Sequence, residues 1–182
     1  VFWDVQDLIL EDVDRIEVIS GSGATLWGAN AVNGVISITT KHARDTSGLL
    51  VEIGGGTHPR GFTNIRYGGQ FNSAAQYRVY GKVFERGRTV STTGRDPNNE
   101  WHFAQGGFRL DWRKSNANTF TVQGDYYDGQ QELLTTSGTN IKGGNVLARW
   151  SHAFSTSSDL NLQVYYDRTH RGLLPLFAED LS

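Results

Sequence analysis

From residue 48 onward, apolar and polar side chains alternate in runs of about ten residues separated by turn-forming residues. Successive side chains of a strand point to opposite faces, so this alternation predicts strands with one apolar and one polar face. In the last run, for example, Leu160, Leu162 and Val164 alternate with polar residues. Seven strands are predicted, at residues 49–55, 62–71, 76–86, 101–112, 119–128, 142–153 and 160–168.

The fourth run changes parity along its length. Its first aromatic residues, Trp101 and Phe103, are odd-numbered, whereas Phe108 and Trp112 are even-numbered. One extra residue on this strand would restore a single apolar face. The sequence therefore predicts a β-bulge at the glycine pair 106–107.

The connections between the runs alternate in length. Those at 72–74, 114–118 and 155–158 are tight, those at 87–100 and 129–141 are long, and the short connection at 57–60 is the exception. Tight turns at one end of a sheet and long loops at the other are typical of outer-membrane barrels. We therefore expect antiparallel strands of a transmembrane β-barrel, with the tight turns at its lower end.

Aromatic residues gather near both ends of the predicted strands, as they do where membrane-spanning strands cross the two lipid interfaces. The lower group is Phe71, Trp112, Phe120, Trp150 and Phe154, and the upper group is Trp101, Phe103, Tyr126, Tyr127, Tyr165 and Tyr166. This distribution predicts two aromatic girdles that bound an apolar band. A soluble antiparallel β-sandwich with aromatic residues at its strand ends is the alternative.

The first 47 residues differ in composition, because acidic residues outnumber basic ones there. Their pattern predicts strands at 15–19 and 34–40, joined by a Gly-rich turn and a short helix or irregular turn at 26–31. A unit of this size has no room for a core of its own. The predicted domains are therefore residues 1–47 and residues 48–182.

Composition excludes several classes of function. With 17 Lys and Arg against 19 Asp and Glu, the chain has a formal net charge of −2 and no basic field for nucleic acid. It has no Cys, and its five His are scattered without metal-ligand spacing, so we predict no metal site, no cofactor and no catalytic residues. It also has no Met, from which we expect a processed or partial chain.

The glycine-rich segment after the first strand does not fit a nucleotide-binding motif. Gly21 and Gly23 follow a strand as in a dinucleotide-binding turn, but Leu26 stands at the third glycine position. Gly23 and Gly28 have the spacing of a P-loop, but Ala29 stands where a Lys is required.

This segment resembles the end of the plug domain of TonB-dependent outer-membrane receptors. Plugs of that family close with Arg-x-Glu-Val, a Gly-rich turn, Leu-Tyr/Trp-Gly, Ala-x-x-Gly and a hydrophobic strand that ends in Thr-Lys. The matching residues here are Arg15, Glu17, Val18, Gly21, Gly23, Leu26, Trp27, Gly28, Ala31, Gly34, Val35, Ile36, Ile38, Thr40 and Lys41. One departure is Ser22-Gly23, where many members have Gly-Pro.

The resemblance implies a mainly β fold, in which the C-terminal part of a small α+β plug domain precedes about seven antiparallel strands of an incomplete barrel of about 22 strands. It implies a receptor, not an enzyme, in the outer membrane of a Gram-negative bacterium. The expected ligand is a scarce small molecule, an iron-siderophore complex first, with haem or cobalamin as alternatives. The expected partners are outer-membrane lipid and the TonB system, the latter through an N-terminal segment missing from this sequence.

The resemblance also suggests site residues. In the family, plug charges pair with the barrel, and Arg15 and Glu17 share one strand face, so we expect them to contact the barrel wall; a solvated strand face is the alternative. Gly21, Gly23, Gly28 and Gly34 would allow tight turns of a compact plug, and Trp27 completes the motif.

Two further groups are candidate ligand contacts. Phe2, Trp3 and Asp4 precede the first strand, where the aromatic pair would either stack on a ligand or pack within the plug. Arg88 and Arg95 lie in the long connection at 87–100, above Arg78 and Lys82 on the polar face. These cations would favour an anionic ligand such as a ferric catecholate.

Two alternatives to the importer remain open at this point. A passive porin-like barrel would need no plug segment, and a soluble β-sandwich binding module would not place its apolar faces in lipid.

Overall fold

The chain, analysed as a computed structural model, folds into two antiparallel sheets and is mainly β. The structure describes residues 7–21, 31, 33–57, 59–88, 100–131 and 138–173. In these ranges the strands are β1 (Val13–Ser20), β2 (Gly34–Thr40), β3 (Gly48–Gly54), β4 (Pro59–Asn72), β5 (Ala75–Arg86), β6 (Trp101–Ser115), β7 (Asn118–Gln131), β8 (Thr139–Ser155) and β9 (Ser158–Leu173). No helix among the described residues is long and apolar enough to cross a membrane.

Strands β1 and β2 pair only with each other, and β3 to β9 form one seven-stranded sheet in sequence order. The seven strands predicted from the alternation are confirmed, and β4 to β9 run further than predicted because their ladders continue into polar residues at the ends. Two 3-10 turns, Leu10–Asp12 and Ala43–Thr46, flank the small sheet. The predicted helix or irregular turn at 26–31 lies outside the described residues except for Ala31.

Two-residue turns join the strands at the lower end, at residues 73–74, 116–117 and 156–157. Side chains at the strand ends hold the turn backbone. The Oδ1 atom of Asn72 accepts hydrogen bonds from the N–H groups of Ala74 and Ala75, each at 2.9 Å. In the next turn, Oγ of Ser115 accepts from the N–H of Asn118 at 3.1 Å. These short polar residues therefore explain why the connections are tight.

The seven-stranded sheet has one apolar and one polar face, as the alternation predicts. The apolar face, which we call the outer face, carries exposed side chains such as Ile65, Val79 and Val164, the last 63% exposed. The polar face, called the inner face, carries buried Arg78, Lys82 and Gln105. The apolar residues of this sheet are thus largely uncovered, while the inner-face cations Arg78 and Lys82 are buried.

The predicted β-bulge at the glycine pair 106–107 is wrong. Strand β6 pairs without interruption with β5 from Trp112 to Trp101, and the pairing with β7 is also continuous through the pair. The parity change has another cause. Trp101 and Phe103 point to the inner face, where Phe103 is buried in a cluster with Phe84 and Tyr127.

The lower aromatic row is confirmed on the outer face. The ring centroids of Trp112 and Phe120 are 5.4 Å apart, and those of Phe120 and Trp150 are 6.1 Å apart. The upper girdle is wrong in part, because four of its six predicted members belong to the inner face. The inward residues are Trp101, Phe103, Tyr127 and Tyr165, and those that remain on the outer face are Tyr126 and Tyr166.

Candidate functional site

The small sheet is attached to the inner face of the seven-stranded sheet through two segments that flank it. Residues 7–12 precede β1 and contact β4 and β5. Residues 40–46 begin at the last residue of β2 and contact β4, β5 and β6. The candidate site is the polar interface that these two segments form with the inner face.

Asp12 is the centre of the first attachment. Its Oδ1 lies 2.6 Å from Nη1 of Arg66, and its Oδ2 lies 3.4 Å from Nε of Arg78. Asp12 and Arg78 are both only 5% exposed. Ion pairs sheltered from water are weakly screened, and removal of one partner leaves an unpaired buried charge. Asp12 therefore links the small sheet to two neighbouring strands of the seven-stranded sheet, which we call the wall.

Lys82 extends this attachment along β5, two inward positions beyond Arg78. Its ammonium lies 2.8 Å from Oδ1 of Asp7 and donates a hydrogen bond to the carbonyl oxygen of Leu8 at 3.1 Å. Lys82 is buried, whereas Asp7 is half-buried. The wall thus supplies the cations, and the segment at 7–12 supplies the carboxylates.

The second attachment surrounds Asp111 of β6. Its carboxylate accepts a hydrogen bond from the N–H of Ala43 at 2.7 Å and pairs with Nε of Arg109 at 2.9 Å. Arg109 in turn donates to Oγ1 of Thr40 at 3.0 Å, and Thr121 donates to the other oxygen of Asp111 at 2.8 Å. Desolvation by itself disfavours a buried carboxylate, so these donors stabilise its ionised form.

A glycine makes the second attachment close. A Cβ atom added at Gly68 of β4 would overlap the carbonyl oxygen of Thr46. Thr46 is buried, and its hydroxyl donates to the carbonyl of Ala43 at 3.0 Å. The 3-10 turn can therefore lie directly on the wall only because residue 68 has no side chain.

A third polar group crosses the inner face at Tyr80, between Arg78 and Lys82 on β5. The hydroxyl of Tyr80 on β5 donates to the carboxylate of Asp125 on β7, and Nε2 of Gln105 donates to the same hydroxyl at 3.0 Å. Strand β6 lies between them, and an added Cβ at Gly107 would overlap both the Asp125 carboxylate and the Tyr80 ring. Gly107 leaves the space that this hydrogen bond needs.

A cavity of about 760 Å³ lies between the segment at 7–13 and the upper inner face. Leu8, Phe62 and Phe84 give it apolar lining, and Asn64 and Gln105 give it polar lining. The oxygens Oδ1 of Asn64 and Oε1 of Gln105 are buried without a hydrogen-bond partner. A buried, unpaired acceptor costs about 1–3 kcal/mol, so a donor group at these oxygens would stabilise the site.

The structure places Arg15 and Glu17 on β1, where they pair with each other at 3.4 Å; Arg15 also pairs with Asp14 at 3.2 Å. All three side chains are about half exposed. These pairs stay within the small sheet, and the contact of Arg15 and Glu17 with the barrel wall stays a prediction.

Two of the predicted plug glycines are described. Gly21 has φ +98°, a conformation that favours glycine, and its N–H donates to the carbonyl of Asn33 at 3.1 Å. An added Cβ at Gly34 would lie 2.6 Å from the carbonyl oxygen of Ile19. Outside the described residues lie Gly23, Trp27, Gly28, Phe2, Trp3, Asp4 and Arg95.

Arg88, a predicted ligand contact, donates from Nε to Oε1 of Glu100 at 3.1 Å. Arg78 and Lys82 lie on the inner face, as predicted, but they pair with the carboxylates of Asp12 and Asp7 and donate to the carbonyl oxygens of Lys41 and Leu8. In the part of the chain that the structure describes, no group of three or more His, Asp or Glu is arranged to hold a metal ion.

Sequence reasoning missed Asp12, Asp7, Arg66 and the Asp111 centre. Arg66 carries a signal, because its even number places it on the inner face with the other wall residues. Asp12 carries none, since it is one of several acidic residues before β1. Its partners lie 54 and 66 residues further along the chain, at Arg66 and Arg78, and only the fold brings them together.

No family model matches the chain. Over 45 residues it is 38% identical to the vitamin B12 transporter BtuB of Vibrio vulnificus, a match that covers 25% of this chain and 7% of that protein. Over 54 residues it is 41% identical to the vitamin B12 transporter BtuB of Vibrio cholerae, covering 30% of this chain and 9% of that protein. The chain thus spans less than a tenth of the length of these relatives, and over that part it is similar to proteins that are transporters rather than enzymes.

Proposed function

We propose that this chain is part of a TonB-coupled receptor in the outer membrane of a Gram-negative bacterium, which imports a scarce small molecule. Residues 1–47 would be the end of its plug, and residues 48–182 would be the first strands of its barrel. The observation that carries this proposal is the buried attachment of Asp12 to Arg66 and Arg78, which joins a small separate sheet to the inner face of a wall.

The outer face supports a membrane location. Seven neighbouring strands expose a continuous apolar surface, with a row of stacked aromatic rings at its lower edge. Exposed apolar patches of this extent mark an interaction surface. Strands β4 to β9 have 12 to 17 residues, which exceeds the roughly 9–11 residues that a tilted strand needs to cross a bilayer.

The inner face supports an importer over a passive porin. A porin interior is an open aqueous channel, whereas here the inner-face cations Arg66, Arg78 and Lys82 are paired with a segment that flanks the small sheet. A soluble β-sandwich would cover its apolar face with a second sheet. In the described residues, the small sheet instead attaches to the polar face.

For the ligand we propose two classes to be compared directly. The similarity to vitamin B12 transporters favours cobalamin, and the family resemblance of the plug motif also allows an iron-siderophore complex. Neither class requires catalysis by the chain. The role of TonB would be to move the plug so that the bound ligand passes through the barrel interior.

The test is uptake by the full-length protein that contains this chain, expressed in the outer membrane of a host without its own receptors for the two ligands. Uptake of radiolabelled cyanocobalamin and of radiolabelled ferrichrome is measured with TonB present and with TonB deleted. Uptake of either ligand that disappears without TonB supports the importer and identifies its ligand class. Uptake that is the same without TonB would instead show a passive pore.

A further inference from the structure

Three cations of the inner face, of which Arg78 and Lys82 are buried and Arg66 is 11% exposed, are held by carboxylates from outside the sheet. Arg66, Arg78 and Lys82, which we call the wall cations, belong to β4 and β5, and their partners Asp7 and Asp12 precede β1. We propose that the wall cations form an oxyanion-binding site whose resting occupants are these two carboxylates. When the segment at 7–12 leaves, the site takes an anionic group of the transported ligand; this use, though not the site's chemistry, rests on the proposed function.

The geometry at Asp12 shows where an oxyanion would bind. The guanidinium groups of Arg66 and Arg78 come from neighbouring strands and converge on the two oxygens of one carboxylate. The planar donors of Arg match the oxygens of carboxylate and phosphate groups better than a single ammonium does. The Asp12 carboxylate is therefore the internal substitute for such a group.

Two observations indicate that the wall cations have capacity beyond their present partners. The Nε atom of Arg66 is buried without a hydrogen bond, and that of Arg78 has only the 3.4 Å ion-pair contact with Asp12. Among the described residues, the three cations also form ion pairs with two carboxylates, one fewer than the number of cations. An oxyanion with more charge and more acceptor oxygens than a carboxylate, such as a phosphate group, would satisfy both.

The resting occupants can leave without damage to the wall. Strands β1 and β2 pair with each other, and neither belongs to the seven-stranded ladder. The contacts of Asp7, Leu8 and Asp12 with the wall cations are made with side chains of the sheet, not with its backbone. Arg109, the next inward cation, differs because it pairs with Asp111 of its own strand.

The test measures equilibrium binding of radiolabelled inorganic phosphate to the purified full-length protein and to its Asp12→Asn variant. The variant keeps the side-chain size but removes the resting anion, so we expect it to bind phosphate about tenfold more tightly than the wild type, or better. Adding Arg78→Gln to Asp12→Asn should remove the gain. A parallel titration with acetate compares a carboxylate with a phosphate, and the tighter anion identifies the ligand group.

Two controls keep the test specific. Asp128→Asn removes the ion-pair partner of Lys142. Lys142 lies on the outer face, and its side chain is 53% exposed. A lone exposed ammonium should not bind phosphate measurably. Asp12→Glu keeps a carboxylate and should bind phosphate as weakly as the wild type. Folding of each variant is checked by circular dichroism, and Asp7→Asn, which frees Lys82, repeats the test if Asp12→Asn does not fold.

The oxyanion site would be overturned if a folded variant without its resting carboxylate bound phosphate with the same affinity as the wild type. It would also be overturned if Asp128→Asn gained as much phosphate affinity as Asp12→Asn. This failure is distinct from failure of the proposed function. TonB-dependent uptake without phosphate binding would reject only the site. Phosphate binding with TonB-independent uptake would reject only the importer.

Discussion

At the scale of single residues, the attachment of the small sheet depends on a few buried charges. Asp12 is the clearest example, because its single carboxylate forms ion pairs with two arginines on different strands. Arg15 and Glu17 are also charged, but they are about half exposed and pair with each other. Exposed pairs contribute little to stability, whereas breaking a buried pair is strongly destabilising. Burial, not charge alone, therefore separates the two sets.

Asp12→Asn should loosen the small sheet by about 3–5 kcal/mol, because it leaves Arg66 and Arg78 buried without a counter-charge. Hydrogen exchange of the full-length protein measures this directly as lost protection of the β1 amides. Glu17→Gln is the matched control, since it removes a carboxylate from an exposed pair and should change the same protection by less than about 1 kcal/mol. Equal losses in the two variants would contradict the central role of Asp12.

Gly107→Ala should destabilise the wall by about 1–3 kcal/mol, because its methyl group would displace the Asp125 carboxylate from Tyr80 and leave buried polar groups unpaired. The neighbouring Gly106→Ala is the control, since its added Cβ would approach the carbonyl oxygen of Tyr80 only to 3.4 Å. Urea unfolding of both variants in lipid vesicles compares them. If Gly106→Ala lost as much unfolding free energy as Gly107→Ala, the loss would come from replacing a glycine in the backbone and not from the contact with Asp125 and Tyr80.

At the scale of elements, neighbouring residues on each strand of the wall point to opposite faces, one to the apolar outer face and the next to the polar inner face. Val164 and Tyr165 are neighbours on β9 and are 63% and 74% exposed. Their partners on β8 show that they face opposite sides, since Val164 pairs with Ala148 and Tyr165 with Leu147. Exposure is therefore similar for both residues, but the proposed surroundings are lipid for one and the barrel interior for the other.

Val164→Arg should destabilise the full-length protein in a bilayer by about 2–4 kcal/mol if the outer face contacts lipid near the midplane. Tyr165→Arg places the same charge on the polar face and should cost much less. The difference is measured as the change in unfolding free energy in lipid vesicles. Similar values for both substitutions would argue that the outer face is not in lipid.

At the scale of the whole molecule, the two attachments differ in how the chain connects each of them to the wall. Residues 40–46 lead directly into β3, so this attachment is continuous with the wall. Among the described residues, 7–12 contact the wall through side chains and one backbone carbonyl, and Lys41 donates to the carbonyl oxygens of Glu11 and Asp12, each at 2.8 Å. If the chain works as proposed, the segment at 7–12 is the part that can separate while the segment at 40–46 stays in place.

A covalent link between the segment at 7–12 and the wall should therefore stop transport but not ligand binding. Asp7→Cys with Lys82→Cys, joined by a bis(methanethiosulfonate) cross-linker that forms a mixed disulfide with each thiol and releases methanesulfinate, should abolish TonB-dependent uptake, and a reductant should restore it. This chain has no Cys of its own to compete for the reagent. Each single-Cys variant treated in the same way is the control, and full uptake by the linked protein would exclude separation at this segment.

Much of the wall could be predicted from the sequence, because strand alternation is a local property. Arg78 and Lys82 were placed correctly on the polar face by parity alone. Trp101 and Phe103 were not, because their hydrophobicity indicated the outer face. In the structure they pack with Phe84 and Tyr127 on the inner face, at the upper end of the wall. Hydrophobic pattern cannot distinguish an apolar cluster inside from an apolar band outside.

The amino-acid pattern is enough to predict the seven strands, their two faces and the tight lower turns, because each depends on residues close together in the chain. Which charges hold the small sheet depends on the tertiary fold. Asp12 and Arg66 lie 54 residues apart, and their pairing depends on where the small sheet meets the inner face. Long-range ion pairs leave no periodic trace in a sequence, since the partner of a buried charge is chosen by packing and desolvation rather than by spacing.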